Sequence, residues 1–88
     1  MIRIERPGET RLAELGVTAW PTWAHGIDEF PWSYAEAETC FILAGEAIVT
    51  PDDGEAVRIG AGDLITFPAG MQCRWNITEP VTKHYRFD

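Results

Sequence analysis

The chain has 88 residues and a mass of 9.9 kDa, room for one domain spanning residues 1–88. At 45% hydrophobic and 24% charged residues, with aromatics throughout, it has the content of a packed core rather than of a disordered segment. Fourteen acidic against seven basic residues leave a net charge of −7 without charge runs, which disfavours nucleic acid and anionic membrane surfaces as partners.

The first residues, Met1-Ile2-Arg3-Ile4-Glu5, lack the apolar stretch of a secretory signal, so a cytoplasmic location is expected. Thr10 to Leu15 reads as one helical turn, with Thr10 as N-cap and Gly16 as the left-handed exit. Val17 to Trp23, with Trp20 and Trp23 around Pro21, reads as an apolar strap closing one end of the core. His25, beside Gly26, is expected in a solvated loop. Glu38–Ala44 is the clearest strand; its longest apolar run, Cys40 to Ala44, is too short to span a bilayer. Glu46–Thr50 and Glu55–Ile59 form a hairpin through Pro51-Asp52-Asp53-Gly54. Gly60-Ala61-Gly62-Asp63 turns the chain into strand Leu64–Phe67. Pro68-Ala69-Gly70 is a further turn, and Cys73–Ile77 and Val81–Phe87 complete the strands. Short β-branched and aromatic segments at this spacing predict an all-β sandwich or barrel.

Alternate residues of a strand share a face. Glu38, Cys40 and Ile42 therefore share one, and Thr39, Phe41 and Leu43 the other; both are largely apolar, as for a strand covered on two sides. Glu38 is the misfit, because an unpaired carboxylate is costly to bury. Trp20, Trp23, Phe67 and Trp75 are expected in the core, and Arg74 and Arg86 on the acidic surface.

Glu38, six residues and Gly45, followed by Gly62-Asp63 and Pro68-x-Gly70, resemble the end of the first and the start of the second cupin motif. With Cys73-Arg74-Trp75 and Lys83-His84-Tyr85, the chain is similar to the small cupins grouped with the cupin domain of (S)-ureidoglycine aminohydrolase. The resemblance covers about Trp20 to the C-terminus, with motif blocks at 32–45 and 62–77. It implies a jelly-roll β-barrel (the double-stranded β-helix), often dimeric, with an interior pocket. Metal-binding cupins carry a His-x-His pair before the Glu and a further His after the Pro-x-Gly turn. Those positions fall here on Trp32, Tyr34 and Cys73, and the closing Asn position on Ile77.

Trp32 has no lone pair for a metal, and a tyrosine seldom ligates at neutral pH unaided. The expected site is therefore a metal-free pocket of Trp32, Tyr34, Glu38, Cys40 and Cys73. There a small planar or carbonyl compound would lie on Trp32 and bond Tyr34, with Glu38 the candidate acid or base. The alternatives left open are a divalent metal ion held by Glu38, Cys73 and Tyr34 in a hydrolase or isomerase of the ureidoglycine aminohydrolase kind, and a homodimeric structural or partner-binding protein with its barrel filled. Glu38 satisfied by the Tyr34 hydroxyl or a backbone N–H, buried reduced thiols at Cys40 and Cys73, a Cys40–Cys73 disulfide, and His84 turned inward are open as well.

Overall fold

Short apolar segments between Gly and Pro become seven strands, all paired antiparallel, in the computed structural model, which describes residues 1–88. In chain order they are β1 (Arg3–Glu5), α1 (Glu9–Leu15), a 3-10 turn (Val17–Ala19), β2 (Thr22–His25), β3 (Asp28–Ser33), β4 (Glu38–Pro51), β5 (Val57–Gly60), β6 (Leu64–Phe67) and β7 (Gln72–Phe87). At roughly 3.3 Å per residue, straight strands the length of β4 and β7 would run about 46 and 53 Å. The longest dimension of the molecule is 34 Å. Both strands must bend, and each therefore belongs to two sheets.

The first half of β4 and the second half of β7 sit centrally in one sheet, in the order β1-β6-β4-β7-β2. The other halves make the second sheet, in the order β5-β4-β7-β3. The bend in β4 lies where its register against β7 slips, between Ile42 and Ala47. Gly45 sits there at φ +91, and a Cβ on it would stand 2.0 Å from the Pro80 carbonyl oxygen. Only a residue without a side chain lets the two bent strands pass this closely. The slip also switches which residues face in: Glu38, Cys40 and Ile42 before it, Ala47 and Val49 after it.

Between the sheets lies one core of Cys40, Ile42, Ala47, Val49, Ile59, Ile65, Phe67, Cys73, Trp75, Ile77, Val81 and Tyr34. The accessible surface is 5206 Å², what scaling gives for a compact monomer of this mass, about 5,200 Å². No helix is long and apolar enough to cross a membrane.

The hairpin, the Gly62 and Gly70 turns and the all-β architecture follow the sequence pattern. Other expectations need correction. Gly8, not Thr10, is the N-cap of α1, and it makes no side-chain cap bond, although Gly16 at φ 70 does end the helix. His25, expected in a solvated loop, ends strand β2, which begins inside the Val17–Trp23 strap, and β3 follows it. Pro31 and the acidic start of β3 weaken the strand pattern, and β3 tolerates the proline because it lies at a sheet edge. Trp20 is not core: it is half-buried with the Arg86 guanidinium 4.7 Å over its ring. The outer face of β4 is only partly covered, since Thr39 is buried but Leu43 is exposed.

Gly45→Ala is expected to cost at least about 3 kcal/mol, because positive φ and a backbone clash add. Gly70→Ala, at φ +83 with nothing near the new Cβ, should lose only the backbone term of about 1–2 kcal/mol. Urea denaturation of the two variants against the parent checks the order; equal losses would show that the approach to Pro80 is not what demands glycine.

Candidate functional site

Alternation along β7 sends Cys73, Trp75, Ile77, Val81 and Lys83 inward. The first four are ordinary core residues. The fifth is an ammonium, and burying it costs several kcal/mol unless a partner compensates. On the neighbouring strand, Lys83 lies opposite Ile42 and Glu38 opposite Phe87. The offset is even, so both side chains stand on one face, and the long lysine stem reaches Glu38. Its Nζ donates to Glu38 Oε2 at 2.8 Å, with the side chains only 8% and 6% exposed.

Two indoles enclose the ammonium. Nζ stands 4.9 Å from the ring centroids of both Trp23 and Trp75. The negative faces of the rings favour a cation there, about 2 kcal/mol or more for a desolvated contact. The Trp75 Nε1–H donates to the Tyr34 hydroxyl oxygen at 3.1 Å, and the Tyr34 ring stacks on Phe67 with centroids 4.7 Å apart. The Tyr34 backbone is clamped by the second motif: its N–H donates to the Met71 carbonyl at 2.9 Å, and its carbonyl accepts from the Gly70 N–H at 2.6 Å. Burial, and then the nearby Glu38 charge, hold the phenol well above its ordinary ionisation range. It is a neutral hydroxyl at any physiological pH.

Trp23, Tyr34, Glu38, Trp75 and Lys83 line a cavity of about 220 Å³, open to solvent. Its wall is completed by Phe30, Trp32, Tyr85 and Phe87. Phe30 stacks on Trp75 at 6.3 Å and meets Trp32 edge-on at 6.3 Å. Trp32 and Phe87 remain 48% and 58% exposed, which puts them at the mouth.

Of the residues expected to form the pocket, Trp32, Tyr34 and Glu38 meet here. Cys40 and Cys73 do not line it. Cys40 is fully buried in the core, and Cys73 lies in the core opposite Pro51, where the hairpin turn brings Asp52 near. Both are free thiols. Pointing inward is therefore not the same as reaching the cavity. Glu38 is satisfied by an ammonium rather than by Tyr34 or a backbone N–H. His84 Nδ1 meets the Trp20 carbonyl at 2.9 Å, away from the cavity, and His25 pairs with Asp28 at 3.0 Å instead of standing free in solvent. The pattern-based reading missed Lys83, Trp23, Phe30, Tyr85 and Phe87 as wall residues. Parity counted from Val81 finds Lys83.

The metal that many cupins hold does not suit this donor set. The Trp32 indole offers no lone pair, and the Tyr34 oxygen is engaged by Trp75 and stays protonated. Cys73 lies outside the cavity, and the Glu38 carboxylate is already matched by a cation at 2.8 Å. Nowhere do three His, Cys, Asp or Glu side chains converge.

Because the pair is almost fully buried, Lys83→Met should cost about 3–5 kcal/mol by stranding the Glu38 charge. Glu38→Gln combined with Lys83→Met should recover most of that loss, and a double-mutant cycle in urea measures the coupling; additive losses would mean that the pair does not act as a unit. Burial pushes the Cys40 and Cys73 thiols up from 9.0 to about 12 and about 11. Below pH 9.0 this costs nothing; above it the unfolded chain ionises first, so stability should fall until the folded thiols ionise too. Urea midpoints should drop as pH rises through this window, and less so in Cys40→Ala; an unchanged midpoint would count against buried thiols.

The cupin domain family described as EutQ-like matches residues 12–85. A DUF861 family protein of Thermotoga maritima is 46% identical over the whole of both chains, with a TM-score of 0.98. An ethanolamine utilization protein Q from Salmonella typhimurium LT2 is 26% identical with a TM-score of 0.66; the match covers 73% of this chain and 51% of that one. A DUF1255 protein of unknown function from Acidithiobacillus ferrooxidans, at 23% identity, 72% and 60% coverage and a TM-score of 0.69, shares the fold. Among curated proteins none matches the chain. With the two bent strands, the Gly45 crossing and the Pro68–Gly70 turn in place, these matches show that the chain belongs to the EutQ-like cupin (DUF861) family.

Proposed function

We propose that the protein binds a small planar organic molecule in the cavity between Trp23, Trp32, Trp75 and Tyr85, without a metal ion. The observation that carries this reading is a solvent-open aromatic cavity whose charged feature is the buried Glu38–Lys83 pair. Ligand sites of this kind are mostly apolar, with a few placed polar groups that set orientation. The aromatic faces supply area for a flat molecule, and the ammonium offers hydrogen bonds to an acceptor oxygen. A volume of about 220 Å³ lies below the range typical of drug-sized ligands, which favours a metabolite of few atoms.

The filled-barrel alternative is weaker because the cavity is open. A hydrolase or isomerase of the ureidoglycine aminohydrolase kind is weaker because Trp32, Tyr34 and Cys73 do not supply the ligands its metal would need.

The four tryptophans give a direct test. Titrated with a library of small aromatic and heterocyclic compounds, the indole N–H signals of Trp23, Trp32 and Trp75 should shift, while that of Trp20, outside the cavity, stays still. Trp32→Ala should weaken a hit about tenfold, the equivalent of 1.4 kcal/mol, with little change in folding stability because the side chain is half exposed. Protein purified without a metal-binding tag should carry only substoichiometric metal. A set of compounds that moves Trp20 as much as the others, or stoichiometric metal that resists chelation, would overturn the reading.

A further inference from the structure

Six of the seven basic residues are arginines, and Lys83 is the only lysine. Arg11, Arg58 and Arg74 sit at the surface, on Glu5, Glu46 and Glu29. A lysine that only supplied charge or solubility would belong with them, since lysine is almost never buried without a specific partner. This one is inside, on the wall of an open cavity, with a carboxylate at 2.8 Å. The property that separates lysine from arginine is that its amine can shed a proton and become a nucleophile.

We propose that Lys83 captures a small planar aldehyde or ketone as an imine, with Glu38 as the proton carrier. This rests on the ligand-pocket reading above. Transfer of one ammonium proton to Glu38 leaves a neutral amine and a carboxylic acid, so no uncompensated ion remains among the aromatic rings. The nitrogen lone pair forms a bond to the carbonyl carbon, the C=O π pair moves to oxygen, and a proton shift from nitrogen to oxygen gives the carbinolamine. Glu38 returns its proton to that hydroxyl, the C–O bond breaks, water leaves, and the nitrogen lone pair closes the C=N bond. The three ammonium protons end as one on the iminium and two in water, and no oxidant or reductant is consumed. The product is again a cation paired with Glu38 and faced by Trp23 and Trp75. The surroundings that hold the ammonium also hold the iminium. The Tyr34 hydroxyl, kept neutral, is a further polar group on the same wall.

The chain has only two primary amines, Lys83 and the Met1 α-amine, and Met1 is fully exposed. Ordinary α-amino groups lose their proton about two to three pH units below ordinary lysines, so in an unstructured chain they react first. Folded full-length protein is treated with benzaldehyde and cyanoborohydride, which fixes any imine as a benzyl amine, and the adducts are located by mass spectrometry. Lys83 should label about tenfold faster than Met1 in the folded protein, and the order should reverse in urea. Lys83→Arg should leave only the Met1 adduct. Glu38→Gln, at a temperature where its spectrum is native, should slow the Lys83 adduct about 100-fold and leave Met1 unchanged. Benzyl alcohol, of similar shape but without a carbonyl, serves as the binding control. If it shifts the Trp23, Trp32 and Trp75 signals while labelling stays on Met1, imine capture is wrong and the pocket reading stands. If no compound shifts those signals and Lys83 does not label, both fall.

Discussion

An ammonium and a carboxylate in hydrogen-bond contact, almost fully buried on the wall of the cavity, constrain everything around them. The exposed pairs Arg11–Glu5 and Arg74–Glu29, at 2.9 and 3.0 Å, are about as short as Lys83–Glu38 at 2.8 Å. Distance therefore does not distinguish them; environment does. Exposed pairs contribute about 0–1 kcal/mol, whereas a charge left alone in the interior costs several kcal/mol. Holding Lys83 and Glu38 in register requires β4 and β7 to pair over their first and last halves respectively. That pairing requires both strands to bend, and the bend requires Gly45 to pass the Pro80 carbonyl. The packing of the molecule and the chemistry of its cavity thus meet in one contact.

The aromatic positions complete the electrostatics. Where other cupins can gather imidazoles around an ion, this chain places a fixed ammonium beneath two indoles, opposite a carboxylate. A tethered ammonium donates hydrogen bonds and, unlike a metal ion, cannot be exchanged for another. The neutral Tyr34 hydroxyl adds no charge to the Glu38–Lys83 pair, so the ligand proposed above would be uncharged and oxygen-bearing rather than an anion.

The fold was legible because its turns demand particular residues. Gly45, Gly62 and Gly70 all have positive φ, and with Pro68 their spacing marks the two cupin motifs. Glu38, Tyr34 and Trp32 were legible as cavity residues because the same motifs locate them. What was hidden has physical reasons. β3 was obscured because Pro31 and two acids break the strand pattern, which only an edge position permits. Lys83 was obscured because residue type suggests a solvated chain, while strand parity places it inside. Cys40 and Cys73 show the opposite failure, for parity alone cannot separate the floor of a cavity from the packed core behind it. The strand Thr22–His25 and the exposure of Trp20 depend on a long-range pairing with β7 that no local signal announces.

Because β4 and β7 run unbroken from one sheet into the other, the two halves of the barrel share a backbone and cannot part like the jaws of a clamp. The freedom available at the cavity is that of the rings at its rim, Trp32 and Phe87. For the small molecule proposed above, admission would then depend on side-chain rotation, on the nanosecond scale for exposed rings, rather than on slow domain opening, and selection would be by fit to a nearly fixed shape.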